Sequence, residues 1–278
     1  MLTRDDRRDK PIGVFDSGVG GLSVWREIVR LMPNESVIYL ADQARVPYGD
    51  RTKGEVERFT HDSVAWLLSQ DVKLVVIACN TASAAALTSL RQRWPGMPIV
   101  GMEPAVKPAS QRTRTGHVGV LATPGTLRAE RFSSLVERFA NGVHVHTVMG
   151  TGLVKMVEQN KLDGPEVEAR LRAILAPVQE ANIDHLVLGC THFPFLAASL
   201  RRVLGDGVQL VDPAPAVARQ TQRVLAREGL QRALSEPGLW RFVTTGELAH
   251  FQRAVTRLVA AELATLGRPT LFQSIDID

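Results

Sequence analysis

The chain has 278 residues, 45 % of them hydrophobic and 22 % charged, the profile of a soluble globular protein with enough apolar content for one large domain or two modest ones. Its net charge of +4 is dispersed, and with aromatics at 5 % there is neither a basic stripe nor a stacking platform for nucleic acid. The most apolar run, Leu74 to Cys79, falls far short of the ~20 residues that span a bilayer.

The charged stretch Met1–Lys10 is not followed by the apolar segment of a secretory signal and reads as a frayed tail. A cytoplasmic protein with reduced thiols is therefore expected. Short Val/Ile-rich runs then alternate with helical patterns. The predicted strands are Ile12–Phe15, Val37–Leu40, Leu74–Ala78, Ile99–Gly101, His117–Leu121, Val143–Val148, His185–Leu188 and Gln209–Val211. In the predicted helix Leu22–Met32, Leu22, Trp25, Val29 and Met32 share a face and Pro33 closes the run; Glu55–Leu68 and Glu166–Gln179 are similar. Near-continuous apolar strands alternating with helices predict an α/β fold of parallel sheets covered on both faces.

The chain also echoes itself. Ile12-Gly-Val-Phe-Asp-Ser-Gly is answered by Val118-Gly-Val-Leu-Ala-Thr-Pro-Gly, at an offset of 106 (118 − 12). Leu74-Val-Val-Ile-Ala-Cys-Asn-Thr is answered by Leu186-Val-Leu-Gly-Cys-Thr-His, its cysteines at an offset of 111 (190 − 79). The echo implies two similar α/β halves, each carrying a cysteine just past the carboxyl end of a strand. Ligands of such sheets bind at that end, so two facing halves would form a cleft with one thiol on each wall.

Cys79 and Cys190 are the only cysteines. A lone cysteine is most often a small buried hydrophobe; two in equivalent strand-to-helix turns, each followed by polar residues, point to reactivity. A redox pair would favour C-x-x-C, and zinc would need about four clustered ligands, so no metal site is expected. Paired acid/base thiols remain. Thiols on opposite walls suit the removal of a proton from one face of a carbon and its return to the other. Asp16-Ser17-Gly18-Val-Gly20-Gly21 looks like a phosphate loop, but Ser23 stands where a dinucleotide fingerprint needs glycine and no G-K-[ST] follows. Asp16 and Ser17 could instead meet a substrate, or form only a capped turn. Pro47-Tyr48-Gly49 is by itself a turn signal. His61, His117, His144, His146 and His250 read as surface or edge residues; His192 differs in lying two positions beyond Cys190.

Together these stretches resemble bacterial glutamate racemase, within the aspartate/glutamate racemase superfamily. The resemblance is carried by Ile12-Gly-Val-Phe-Asp-Ser-Gly-Val-Gly-Gly-Leu-Ser-Val, Ala41-Asp-Gln-Ala-Arg-Val-Pro-Tyr-Gly, Val76-Ile-Ala-Cys-Asn-Thr-Ala-Ser-Ala and Leu188-Gly-Cys-Thr-His-Phe-Pro, and it spans roughly Pro11 to Leu230. It implies that Cys79 and Cys190 are the two proton donor/acceptors, with Asp16, His192 and Glu158 as catalytic helpers. It implies that Asp16, Ser17, Pro47, Tyr48, Gly49, Asn80, Thr81, Thr191 and His192 hold the substrate. It further implies D-glutamate supply for peptidoglycan, no cofactor, a small-molecule substrate, and a homodimer. The implied division is residues 1–100 plus 209–278 against 101–208, related by pseudo-two-fold symmetry with the active site in the cleft. An aspartate or hydantoin racemase, a maleate-type isomerase, or a non-catalytic binding protein for acidic amino acids are the alternatives.

Overall fold

The computed structural model describes residues 7–233, 236–267 and 270–277. Two wholly parallel sheets form around the apolar runs. In the first, β1 (Ile12–Asp16) lies between β2 (Val37–Ala41) and β3 (Leu74–Ile77), with Ile12 level with both Val37 and Leu74. β4 (Ile99–Val100) extends it beyond β3, and β9 (Trp240–Thr244) and β10 (Thr270–Ser274) beyond β2. In the second, β5 (His117–Ala122) lies between β6 (His144–Met149) and β7 (His185–Gly189), and β8 (Gln209–Val211) pairs with β7. The orders β2-β1-β3-β4 and β6-β5-β7-β8 are the same arrangement used twice, as the internal echo predicts.

Strand alternation decides which helix covers which face. Val14, Val37, Tyr39 and Val76 face the layer of α1 (Leu22–Leu31), while Phe15, Ile38, Leu40 and Val75 face that of α2 (Lys53–Ser69) and α3 (Asn80–Arg93). α1 ends just before Pro33 and buries Leu22, Val24, Trp25, Ile28 and Val29. α2 begins two residues before its predicted start because Thr52 caps it, its hydroxyl accepting from the Glu55 N–H while Glu55 reaches back to the Thr52 N–H. The second sheet carries α4 (Val106–Arg112) and, after the short α5 (Pro124–Leu127), α6 (Glu130–Phe139) on one face, and α8 (Pro165–Glu180) and α9 (Ala197–Leu204) on the other. One apolar core runs continuously between the two sheets.

Two expectations change. The stretch at 209–211, assigned to the first half, hydrogen-bonds to β7 and belongs to the second sheet; the chain re-enters the first layer only with α10 (Ala214–Glu228), which packs on α1. The tail predicted over Met1–Lys10 lies outside the described residues as far as residue 6, but its Arg8–Lys10 portion is anchored: Lys73 Nζ donates to the Arg8 carbonyl at 2.6 Å and Lys10 pairs with Asp71. Among the described residues no helix is long and apolar enough to cross a membrane.

The return of the chain is held by aromatic packing. Trp25 meets Trp240 edge-on at 4.9 Å between ring centroids and Phe242 at 5.0 Å, all three fully buried. Trp25→Ala is expected to lower unfolding stability by about 3–5 kcal/mol, measured by urea titration.

Candidate active site

Every strand of the two central triplets delivers a polar side chain at its carboxyl end, where parallel sheets collect ligands. β1 leads to Asp16 and Ser17, β2 to the turn through Pro47, Tyr48 and Gly49, and β3 to Cys79. From the second sheet β5 leads to Thr123, β6 to α7 (Leu153–Glu158), and β7 to Cys190, Thr191 and His192. Ser17, Pro47, Tyr48, Gly49, Cys79, Asn80, Thr81, Thr123, Val154, Cys190, Thr191 and His192 line one cavity between the sheets. The cavity measures about 10 Å³, room for about one water.

Cys79 caps α3: its sulfur accepts from the Ala82 N–H at 3.5 Å, and its thiol reaches Ser17 Oγ at 3.8 Å. Burial, followed by the negative charge of Asp16, pushes this thiol well above its ordinary range. Asp16 is itself buried behind Ser17, accepting from the Gly18 N–H at 2.8 Å and the Thr191 hydroxyl at 2.9 Å. Burial raises its carboxyl to about 6, against the pull of the His192 charge and those two donors.

Cys190 has different company. His192 Nδ1 lies 3.7 Å from its sulfur, and His192 Nε2 lies 2.7 Å from Glu158 Oε1. Burial works against a charged imidazole here, but the Cys190 sulfur and the Glu158 carboxylate outweigh it and hold the ring protonated well above its usual range. Burial likewise works against the charge on Glu158, yet His192, Gln43 Nε2 at 2.8 Å and the Val19 N–H at 2.8 Å together keep that carboxyl below its ordinary value. The two thiols thus face one cavity with unlike surroundings, a carboxylate behind Cys79 and an imidazolium beside Cys190.

The glycine-rich loop after β1 seats this ion pair and is not a phosphate cradle. A Cβ on Gly18 would lie 1.9 Å from Glu158 Oε1, and one on Gly20 would lie 2.2 Å from His192 Nδ1. Ser23 Oγ donates to the Thr191 carbonyl, and the Thr81 and Thr123 hydroxyls meet at 2.9 Å, so the halves touch beside the cavity. Asn80, 3 % exposed, has no hydrogen-bond partner on either side-chain atom among the described residues. A buried amide with both ends unpaired in a cavity wall is a group waiting for a ligand.

Each site residue expected from the sequence lies at the cavity except Asp16 and Glu158, which stand directly behind Ser17 and His192. Sequence reasoning misses Thr123, Val154 and Gln43. Thr123 was within reach, since 123 − 17 repeats the offset of 106 and makes it the counterpart of Ser17. Of the histidines expected at the surface or an edge, His144 is exposed and His61, His117, His146 and His250 are half-buried; His250 Nε2 lies 2.8 Å from the Glu158 carbonyl oxygen. Among the described residues no group of three or more His, Cys, Asp or Glu is arranged to hold a metal ion.

A family model described as Asp/Glu/Hydantoin racemase matches residues 12–221. A glutamate racemase of Roseiflexus sp. (strain RS-1) is 47 % identical over 254 residues, 91 % of this chain and 93 % of that protein. Among solved structures, a glutamate racemase isoform from Bacillus anthracis aligns with a TM-score of 0.86 at 32 % identity, covering 97 % of this chain and 98 % of its own. One from Francisella tularensis subsp. tularensis SCHU S4, in complex with D-glutamate, aligns with a TM-score of 0.83 at 28 % identity over 98 % of this chain and 99 % of that one.

The unlike surroundings of the thiols can be tested directly. Because the Asp16 carboxylate raises the Cys79 thiol, Asp16→Asn is expected to move the pH midpoint of Cys79 alkylation downward. Peptide mass spectrometry after timed iodoacetamide exposure measures it, and an unmoved midpoint would refute the coupling.

Proposed function

Since the chain belongs to the Asp/Glu/Hydantoin racemase family, we propose that it interconverts L-glutamate and D-glutamate without a cofactor, using Cys79 and Cys190 as the two bases. The observation that carries this reading is the placement of two thiols at equivalent strand ends, facing one small cavity. One sulfur, as thiolate, takes the Cα proton from its side of the substrate; the electron pair left on Cα delocalises into the adjacent carboxylate. The other sulfur, as thiol, gives its proton to the opposite face. The carbon is inverted, and the two sulfurs have exchanged protonation states. A single base would return the proton to the face it left.

In this reading Asn80, whose amide lacks a partner among the described residues, binds the substrate's charged ends together with Ser17, Tyr48, Gly49, Thr81, Thr191 and the backbone of Pro47. Asp16 and the His192–Glu158 pair set the charge behind their respective thiols. The imidazolium stabilises negative charge on the neighbouring sulfur by direct attraction. Exclusion of water keeps these charges strong and protects the carbanion from bulk exchange. Since the cavity is smaller than an amino acid, the two walls separate to admit substrate and close over it. The reading extends to D-glutamate supply for peptidoglycan in the cytoplasm and, by family likeness, to a homodimer.

L-Glutamate in buffered D2O is expected to lose its circular dichroism signal to zero while deuterium enters Cα, with neither cofactor nor metal added. Cys79→Ser and Cys190→Ser should each slow this by about 10²–10⁴-fold; a flat trace from folded wild-type protein would sink the proposal. The pH profile follows from Asp16. Below about 6 its carboxyl is protonated in the free protein and no longer accepts from both the Gly18 N–H and the Thr191 hydroxyl. kcat/KM should therefore fall with an acid midpoint near that value, and Asp16→Asn should lack that limb.

A further inference from the structure

The stretch Ala41-Asp-Gln-Ala-Arg-Val-Pro-Tyr-Gly contains a residue to which the two-thiol mechanism gives no part. Gln43 sits in a 3₁₀ turn (Gln43–Arg45) after β2, outside the cavity wall, yet its side chain reaches the catalytic ion pair. Its Nε2 donates to Glu158 Oε2 at 2.8 Å, and its Oε1 accepts from the Thr244 hydroxyl at 2.9 Å, at the end of β9.

The orientation of that amide is fixed by its neighbours. Thr244 Oγ1 already accepts from the Gly246 N–H at 2.9 Å, so its single proton is free to go to Gln43. Flipping the amide would set two acceptor oxygens, Gln43 Oε1 and Glu158 Oε2, against each other at hydrogen-bond distance. It would also ask the Thr244 oxygen to accept twice while its own proton found no partner. Neither happens in the arrangement observed. Glu158 Oε1 is meanwhile occupied by His192 Nε2 and the Val19 N–H, which leaves Gln43 as the side chain that holds Oε2.

We infer that Gln43 is a positioning residue: its amide, oriented by Thr244, locks the Glu158 carboxylate onto His192 and so fixes the imidazole behind Cys190. The relay runs Thr244 Oγ1–H to Gln43 Oε1, Gln43 Nε2–H to Glu158 Oε2, and His192 Nε2–H to Glu158 Oε1, with His192 Nδ1 against the Cys190 sulfur. It ties the strand that returns late in the chain to the thiol of the opposite half. Without Gln43, Oε2 is a buried carboxylate oxygen missing a donor. Glu158 can then rotate, and the ring it orients loses its fixed tilt.

The inference rests on the two-thiol reading for its kinetic consequence, but its structural claim can be read without turnover. The variants are Gln43→Met, which keeps bulk and loses the amide; Thr244→Val, which keeps shape and loses the hydroxyl; and Thr244→Ser, which keeps the hydroxyl. The first readout is the titration of the His192 ring by NMR in protein labelled with 15N at histidine. Charged and titratable groups near the ring or its ion pair are Glu158 from α7, Asp16 from the end of β1, Cys190 from its own turn, and Cys79, Tyr39 and His250 beyond them. None of these is altered by the variants. The ring's midpoint is expected to move to lower pH in Gln43→Met and Thr244→Val and to stay in place in Thr244→Ser.

The second readout is steady-state kinetics with L- and D-glutamate. kcat should fall about tenfold, the low end of what is lost when a group orienting a metal-bound histidine is removed, in Gln43→Met and Thr244→Val. KM should remain within twofold, since Gln43 does not line the cavity, and Thr244→Ser should keep wild-type kcat. An unmoved His192 midpoint in folded Gln43→Met and Thr244→Val proteins overturns the inference. Moved midpoints in these variants, beside a folded wild-type protein that does not turn over, would uphold the relay while refuting the racemase reading.

Discussion

The structure is organised around a buried ion pair of the second half that draws hydrogen-bond donors from the first. Removing a carboxylate and an imidazolium from water is expensive, and only a full set of hydrogen bonds makes it tolerable. Glu158 satisfies that demand by drawing donors from three places: the Val19 N–H of the first half, the Gln43 amide after β2, and His192 of its own half. The loop after β1 has to approach closely enough to offer its N–H, which is why side chains are excluded at Gly18 and Gly20. The position of His192 against Cys190 is then a by-product of a pair that had to be buried in this way.

The duplicated scaffold explains how so small a site receives so many groups. Each half repeats one three-strand unit, and its strands end at the same level, so each delivers a serine or threonine and a cysteine at matching points: Ser17 and Cys79 from one, Thr123 and Cys190 from the other. The halves differ just behind those matched groups. The first has a carboxylate at Asp16 where the second has Ala122, and the second has His192 where the first has Thr81.

Much of this is legible in the sequence because buried parallel strands are written as unbroken Val/Ile/Leu runs. All eight runs so identified form strands, and the echo between Leu74–Cys79 and Leu186–Cys190 correctly aligns the two thiols. The signal fails where burial is mixed. β9, with Arg241 half-exposed among Trp240, Phe242 and Val243, and β10, with most of its residues exposed, break the apolar pattern. β8 is recognised as a strand but joins the other sheet, since three residues say nothing about their partner. Cys79, Cys190 and their polar neighbours are legible through the repeat. Glu158 is reached only through family resemblance, and Gln43 not at all, because a lone amide in a short turn acquires its meaning from Thr244, some two hundred residues later in the chain.

The contrast between the surroundings of the two sulfurs has a thermodynamic corollary. Mirror-image amino acids have equal free energy in water, so the equilibrium between them is unity whatever the protein does. A Haldane constraint follows: kcat/KM must be the same in both directions, however unequally a carboxylate behind Cys79 and an imidazolium beside Cys190 treat the two enantiomers. The asymmetry built into the molecule can surface only in how tightly each enantiomer saturates it and how fast the saturated form turns over, the two changes cancelling in their ratio. Two halves with the same strand order can therefore differ behind their thiols without ever favouring one hand of the product.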